Sequence, residues 1–146
     1  MFDALLKRLT GAPSTEPLDA SDSRLALATL LVRVARADHD YAPEEVAVID
    51  AVLAGRYGLS DAEVAELRAE AEALEQKAPD TVRFTRTIKD AVPYEDRNSV
   101  VEALWRVVLA DGQRDDDENG FLRLVANLLG VNDRDSAFAR QKVQKG

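Results

Sequence analysis

The sequence predicts an all-α domain, a bundle of about seven helices built from two imperfect helical repeats, with a short helix in front of it. Three observations support this prediction. Apolar residues recur at the three- and four-residue spacing of amphipathic helices. No stretch shows the sustained apolar and polar alternation of a half-buried strand. One residue pattern also occurs twice at a constant offset.

The composition limits the class of protein. The chain of 146 residues has no cysteine, which excludes disulfides, thiolate metal sites and cysteine nucleophiles, so a reducing compartment, the cytoplasm, is the expected location. A formal charge of −8 would repel nucleic-acid phosphates, and we expect no nucleic-acid partner. No run of about 18 uncharged apolar residues predicts a membrane span.

Residues 1–20 are expected to form a short helix and a linker in front of one domain over residues 21–144. The apolar residues of this short helix lie on one side: Phe2, Leu5, Leu6 and Leu9. A docking arm is the preferred interpretation. The alternative is membrane-surface contact, because Lys7 and Arg8 accompany the apolar side, but so short a helix would anchor weakly.

The first half of the domain should hold three long helices. The first runs over residues 22–38, and Pro43 fits the first turn of the second. Gly58 marks the break after the second helix. Ser60 and Glu63 fit the capping box, a reciprocal hydrogen-bonding pattern that begins a helix, and so predict the start of the third.

The polar side of this third helix carries mainly acidic residues. It is made of Glu66, Arg68, Glu70, Glu72 and Glu75. An acidic binding strip is one interpretation. We expect an ordinary solvated helix face instead, because charged residues at such spacing are typical of solvent-exposed helices.

The second half follows the same plan after a short helix that begins at Pro79. A long helix over residues 94–111 contains Trp105, the only tryptophan, which we predict to pack in the core. The next amphipathic helix should stop at Gly130. Residues 132–133, Asn-Asp, then offer a cap for a final polar helix.

The two copies, about residues 22–76 and 94–144, align at an offset of 73 positions. RVARADHDYAPEEVAVIDAVL, which begins at residue 33, matches RVVLADGQRDDDENGFLRLVA, which begins at residue 106. After one deletion, YGLSD matches LGVND. In each copy an aspartate ends one helix and a glutamate seven residues later enters the next. We call these pairs the first corner, Asp38 and Glu45, and the second corner, Asp111 and Glu118.

This pattern resembles the tellurite-resistance TerB family and the related TerB-like domain at the N-terminus of membrane-anchored DnaJ-type co-chaperones. The resemblance covers roughly residues 25–133. It rests on ADHDYAPEE and ADGQRDDDE, each followed by an amphipathic helix that ends in YGLSD or LGVND. It implies an all-helical bundle with a role in stress response. The suspected ligands of a divalent cation would be Asp38, Glu45, Asp111 and Glu118.

One departure from that pattern concerns the first corner. His39 stands where the second corner has Gly112, so the resemblance does not imply equal function of the two corners. His39 is the sole histidine, and we expect it in an exposed loop rather than as a general base or metal ligand.

The chemistry of the corners favours calcium or magnesium, because carboxylate oxygens suit hard cations and zinc usually takes His or Cys. The alternative needs no ligand: the aspartates would satisfy backbone amides and the glutamates would complement helix dipoles. The stretch beginning at Asp115 matches the first positions of an EF-hand calcium loop, but its twelfth position is Ala126 instead of glutamate. We therefore reject an EF-hand.

Three functions remain open at this stage. The first is a non-enzymatic module that binds a divalent cation at its corners and docks protein partners. The second is a metal-dependent hydrolase whose paired carboxylates hold ions that activate water. The third is a co-chaperone-like scaffold with an exposed apolar patch and no metal. We expect no enzyme, because the sequence has no Ser/His/Asp set, phosphate-binding glycine loop or metalloprotease helix motif.

Overall fold

A computed structural model describes residues 20–36, 41, 43–77, 86, 89, 96–109 and 116–145. These residues form six helices and no strand, which confirms the all-α class. The helices are α1 (Ala20–Ala35), α2 (Pro43–Tyr57), α3 (Asp61–Lys77), α4 (Arg97–Val108), α5 (Asp116–Leu128) and α6 (Asp133–Lys145). None of the described helices is long and apolar enough to cross a membrane.

Two predicted short helices fall largely outside this part of the chain. The predicted helix over residues 1–9 lies outside the described residues. Of the segment after Pro79, only Arg86 and Lys89 are described, and both are helical. The sequence predicted about seven helices, and the described residues contain six.

The starts of α3 and α6 follow from local hydrogen bonds. The Ser60 amide donates to Glu63 Oε1 at 3.0 Å and the Glu63 amide donates to Ser60 Oγ at 3.2 Å, which confirms the predicted capping box. Before α6, Asn132 Oδ1 accepts the amide of Asp135 at 2.8 Å, so Asn132 caps the helix. These bonds satisfy amides that a helix start otherwise leaves unpaired.

Glycines end α2 and α5 in the same way. Gly58 and Gly130 have φ of +65° and +86°, a left-handed conformation that glycine adopts without a Cβ clash. The next residue then donates its amide to a carbonyl five residues back, Leu59 to Ala54 at 3.2 Å and Val131 to Ala126 at 2.9 Å. Both predicted helix ends are confirmed.

The two halves keep a nearly constant spacing along the chain. α5 begins 73 residues after α2, and α6 begins 72 residues after α3, as residues 43 and 116 and residues 61 and 133 show. Within each half the largest contact joins the first and third helix, α1 with α3 and α4 with α6. Between the halves α1 packs on α4, and α2–α4 contacts have their counterpart in α1–α5 contacts. Such reciprocal contacts are expected when an approximate twofold axis relates the two halves.

α1 forms the centre of the core. Every residue from 25 to 35 is buried, because α2, α3, α4 and α5 all pack around this helix. The apolar residues at helical spacing predicted a core-facing helix here, and Arg33 is not one of them. Arg33 is buried nonetheless and reaches the carbonyl oxygen of Glu75 on α3 through Nη2, at 3.3 Å.

The core of the second half contains a buried polar pair. Trp105 is 5% exposed, which confirms its predicted place in the core. Its Nε1 donates to Ser136 Oγ on α6 at 3.1 Å. The corresponding positions of the first half hold two apolar residues, Val32 and Val64, both buried. The halves therefore share a backbone plan but fill its centre with different side chains.

Candidate functional site

The structure describes one of the four side chains that sequence reasoning placed at the corners. Glu45 is the third residue of α2 and is fully buried, with 0% of its surface exposed. Asp38 and Asp111 lie outside the described residues. The backbone at Glu118 is described and makes it the third residue of α5, although its side chain is not. The two glutamates therefore occupy the same helical position in their repeats.

Burial of Glu45 has an electrostatic consequence. A carboxylate that is removed from water must recover its lost hydration from donors, from a helix dipole or from a cation. The first turn of α2 supplies the positive end of a dipole. Within the described ranges, no group of three or more His, Asp or Glu side chains is placed to hold a metal ion.

The acidic stretch of the second corner is helical where it is described. Residues 116–120 belong to α5, so Asp117, Asn119 and Gly120 lie on a helix rather than in a calcium-binding loop. The rejection of an EF-hand is therefore supported by the backbone.

A network of charged and polar side chains joins α2 and α3 to the residues on either side of 37–40. We call it the connector clamp, and its members are Arg36, Tyr41, Asp50, Arg68, Glu72 and Glu75. Tyr41 donates its hydroxyl to Glu72 Oε2 at 2.8 Å. Arg36 pairs with Glu75 Oε2 at 2.8 Å and stacks on the Tyr41 ring, 5.0 Å from its centroid. Arg36 and Tyr41 flank residues 37–40, so the clamp holds both sides of that segment on α3.

Arg68 joins this cluster to α2. Its Nε donates to Asp50 Oδ1 at 2.7 Å, and its Nη1 lies 3.4 Å from Glu72 Oε2. Burial opposes the charge of Arg68, but the hydrogen bond to Asp50 and the nearby carboxylate charges outweigh burial and raise its pKa. Burial, and then the hydrogen bond to Glu72, raise the pKa of Tyr41 well above its usual 10.0. Tyr41 is therefore a neutral donor over the ordinary pH range.

The clamp corrects one sequence interpretation. The polar side of α3 was expected to be a solvated face, and Glu66 is exposed as expected. The expectation is wrong for Arg68, Glu72 and Glu75, whose side chains are only 24%, 26% and 16% exposed and bind partners on other elements. Spacing along one helix cannot show partners that the fold brings in from elsewhere. The available signal was Tyr41, an aromatic residue in a polar connector.

Of the clamp residues compared with the second half, only the arginine at position 68 has a counterpart of the same type. The counterparts of Arg36, Tyr41, Asp50, Arg68 and Glu72 are Leu109, Arg114, Arg123, Arg140 and Gln144. Arg123 and Arg140 have like charges, so the ion pair of Asp50 and Arg68 has no equivalent. Arg140 instead stacks over Trp105, 5.1 Å from the ring centroid.

The second half exposes two large apolar side chains. Leu124 on α5 is 49% exposed and Phe138 on α6 is 55% exposed. Arg134 lies over the Phe138 ring, 5.6 Å from its centroid. The corresponding residues of the first half are Ala51 and Glu66, so these two exposed apolar residues have no apolar counterparts of similar size there.

Comparison with known proteins identifies a family for the whole helical domain. The family model described as tellurite resistance protein TerB matches residues 24–141, from the second turn of α1 into the last turns of α6. Comparison with curated proteins and with solved structures gives no match. The matched range contains both corners and the entire connector clamp.

Proposed function

The chain belongs to the tellurite-resistance TerB family, and we propose that it serves there as a non-enzymatic binding module whose two corners hold a hard divalent cation, calcium or magnesium. The ligands are Asp38 and Glu45 in the first corner and Asp111 and Glu118 in the second. On its cysteine-free composition we assign the module to the cytoplasm.

The complete burial of Glu45 carries this proposal. Most glutamates lie at the surface, and one that is fully buried needs compensation for lost hydration. The dipole of α2 supplies part of this compensation. A cation shared with Asp38 would supply more, and carboxylate oxygens are the ligands that calcium and magnesium prefer.

The repeated backbone supports extending the assignment to the second corner. Glu45 and Glu118 are each the third residue of a helix, and each follows an aspartate by seven positions. A tight connector would bring such an aspartate and glutamate towards the same helix start. A binding role without catalysis suits this arrangement, because the sequence supplies no nucleophile and base set beside it.

A cation titration tests the proposal. Calcium, magnesium and zinc are added separately to isotope-labelled protein while amide shifts are followed by NMR. Calcium or magnesium should give saturable shifts confined to residues 37–45 and 110–118. A flat response to every cation in the wild-type protein would refute the cation assignment.

Matched variants assign the ligands. Glu45→Gln should remove the response of the first corner and Glu118→Gln that of the second. Glu66→Gln, which changes an exposed glutamate on α3, should alter neither. Binding should also raise the unfolding free energy, by about 2.7 kcal/mol at a free cation concentration of 100 times Kd. If Glu45→Gln does not fold, Glu118→Gln and Asp111→Asn still test the second corner.

A metal-free scaffold is the second candidate, and the exposure of Leu124 and Phe138 favours it. Such a module would use an apolar surface to dock protein partners. It predicts a flat cation titration together with a partner interaction that the double variant Leu124→Gln, Phe138→Gln abolishes. The double variant should keep the helical content and the midpoint of thermal unfolding, because neither side chain is buried.

A further inference from the structure

We propose that copies of this chain associate head to tail, with the exposed side of α5 and α6 in one molecule docked on the exposed side of α3 in the next. The first surface, which we call the α6 face, consists of Leu124, Arg134 and Phe138. The second, which we call the α3 face, consists of Asp61, Ala62, Ala65, Glu66 and Ala69. The association goes beyond the cation assignment and does not depend on it, so it can be tested in metal-free protein.

The α6 face combines large apolar side chains with a cation. Phe138 is 55% exposed and Leu124 is 49% exposed, and among the described residues these are the large apolar side chains left in contact with water. Arg134 lies over the Phe138 ring, 5.6 Å from its centroid. Asn127, one turn after Leu124, donates to Asp133 Oδ1 at 3.2 Å and so joins this side of α5 to the start of α6. Aromatic residues and arginine are enriched in protein interfaces.

The α3 face offers the opposite charge. α3 contains six acidic and two basic residues, whereas α6 contains two acidic and four basic residues. Within the described part of the chain, Asp61 and Glu66 form no ion pair, and neither does Arg134 of the α6 face. Two surfaces of the same molecule therefore keep charges of opposite sign available for a partner.

The side chains between these acids are small. Ala62, Ala65 and Ala69 recur at helical spacing and are all exposed. A helix surface made of alanines lets another side chain approach its backbone closely, so it leaves room for the Phe138 ring. The carboxylates beside the alanines can then meet the guanidinium that lies over that ring.

The two faces lie at opposite ends of the molecule. α3 packs on α1, α1 packs on α4, and α4 packs on α6, so the four helices form a row with α3 and α6 at its ends. A contact between two α6 faces would place cations against cations, which is unfavourable. A contact between an α6 face and an α3 face pairs opposite charges. Such a contact is head to tail, and it does not close at two molecules because each end keeps one free face.

The formal charge of −8 opposes the approach of two copies. Salt screens this repulsion beyond about 10 Å at 0.1 M, whereas side chains that face each other across a contact interact at shorter range. Only two large apolar side chains anchor the contact, so we expect a weak and reversible association. Every copy carries both faces, and the partner is therefore always present at the same concentration.

Sedimentation velocity on metal-free protein tests the association over concentrations from about 10 μM to about 1 mM, the range of weak complexes. The average sedimentation coefficient should rise with concentration without a plateau at the dimer. Phe138→Gln should weaken association about thirtyfold, the loss expected for an aromatic anchor. Glu66→Lys should weaken it about tenfold, because it brings a cation to the α3 face. Glu44→Lys makes the same change of net charge at an exposed site on α2 and should have no effect.

A mixture of two variants tests the head-to-tail geometry. Phe138→Gln damages the α6 face and keeps the α3 face, whereas Glu66→Lys does the reverse. An equimolar mixture should form a one-to-one pair through the two intact faces and no longer species. If two α6 faces met instead, Glu66→Lys would leave a dimer intact and the mixture would restore nothing.

Several results would overturn the inference. They are a wild-type protein that stays monomeric up to about 1 mM, a dimer that Glu66→Lys leaves unchanged, and equal effects of Glu66→Lys and Glu44→Lys. A monomer whose Phe138 ring shows nuclear Overhauser contacts with residues 1–9 would assign the α6 face to that segment and would also refute self-association. If Glu66→Lys does not keep its helical circular dichroism, Arg134→Glu tests the same charge pairing from the other face. A flat cation titration would reject the proposed function and leave these sedimentation results unaffected.

Discussion

Replacing Ser136 with alanine should destabilise the domain through the tryptophan that it faces. Trp105 and Ser136 are 5% and 4% exposed, and the indole Nε1 donates to Ser136 Oγ at 3.1 Å. Ser136→Ala leaves that indole N–H buried without its acceptor, which costs about 1–3 kcal/mol. In a domain of about 150 residues each kcal/mol lowers the thermal midpoint by roughly 2–4 °C.

Removing the donor instead of the acceptor should cost less free energy through lost hydrogen bonding. Trp105→Phe removes the donor, and the Ser136 hydroxyl can then turn to a carbonyl four residues back. Thr29 makes such a bond to Leu25 in α1, at 2.6 Å. Trp105→Phe still loses apolar contacts, so its total cost includes a packing contribution.

A double-mutant cycle separates the hydrogen bond from packing. Urea unfolding followed by circular dichroism is measured for wild type, Ser136→Ala, Trp105→Phe and the double variant. The coupling energy should be about 1 kcal/mol or more, with Ser136→Ala nearly neutral in the Trp105→Phe background. Ser99→Ala, at a more exposed hydroxyl, is the control. If Ser136→Ala costs the same in both backgrounds, the hydrogen bond does not stabilise the fold.

Four further predictions concern turns, caps and titration. Gly58→Ala should destabilise by about 1 kcal/mol in denaturant unfolding because φ is +65°, whereas Gly55→Ala, in the open interior of α2, should stabilise by a similar amount. Ser60→Ala should lower the free energy of unfolding by about 1 kcal/mol, because the helix start loses its cap. Hydrogen bonds from Ser60 lower the pKa of Glu63. The contribution of Glu63 to the free energy of unfolding is therefore present above pH 4.5 and is lost as pH falls through its folded-state pKa. Glu63→Gln should flatten the acid side of a curve of stability against pH. Burial and the hydrogen bond to Glu72 raise the pKa of Tyr41. The contribution of Tyr41 to the free energy of unfolding is therefore complete below pH 10.0 and declines above it. Tyr41→Phe should remove that decline at alkaline pH.

The helix ends were predictable because their determinants are local. Gly58, Ser60 and Glu63 lie within six residues of one another, and the bonds they make join residues close together in the sequence. The same holds for Gly130 and Asn132 in the second repeat. The repeat itself was detectable from matching residues in the sequence, and the described helices follow its offset.

The parts that sequence reasoning missed depend on distant partners. Arg33 lies outside the apolar spacing of α1, yet it is buried because α3 packs on α1 and offers the Glu75 carbonyl. Tyr41 and Glu72 are 31 residues apart, and neither spacing nor composition pairs them. Glu45 was predicted in a first helical turn, where it lies, but its complete burial follows only from how the helices pack.

The central position of α1 makes the duplicated chain indivisible. A fragment cut between α3 and α4 would keep the largely apolar, fully buried stretch of residues 25–35 but lose the α4 and α5 surfaces that cover it. Such a fragment should self-associate or be degraded when it is produced alone, and it should regain solubility when the complementary fragment is co-expressed. An ancestor with a single copy of the unit would have needed a second molecule to shield the same helix, and gene fusion would have made that association permanent.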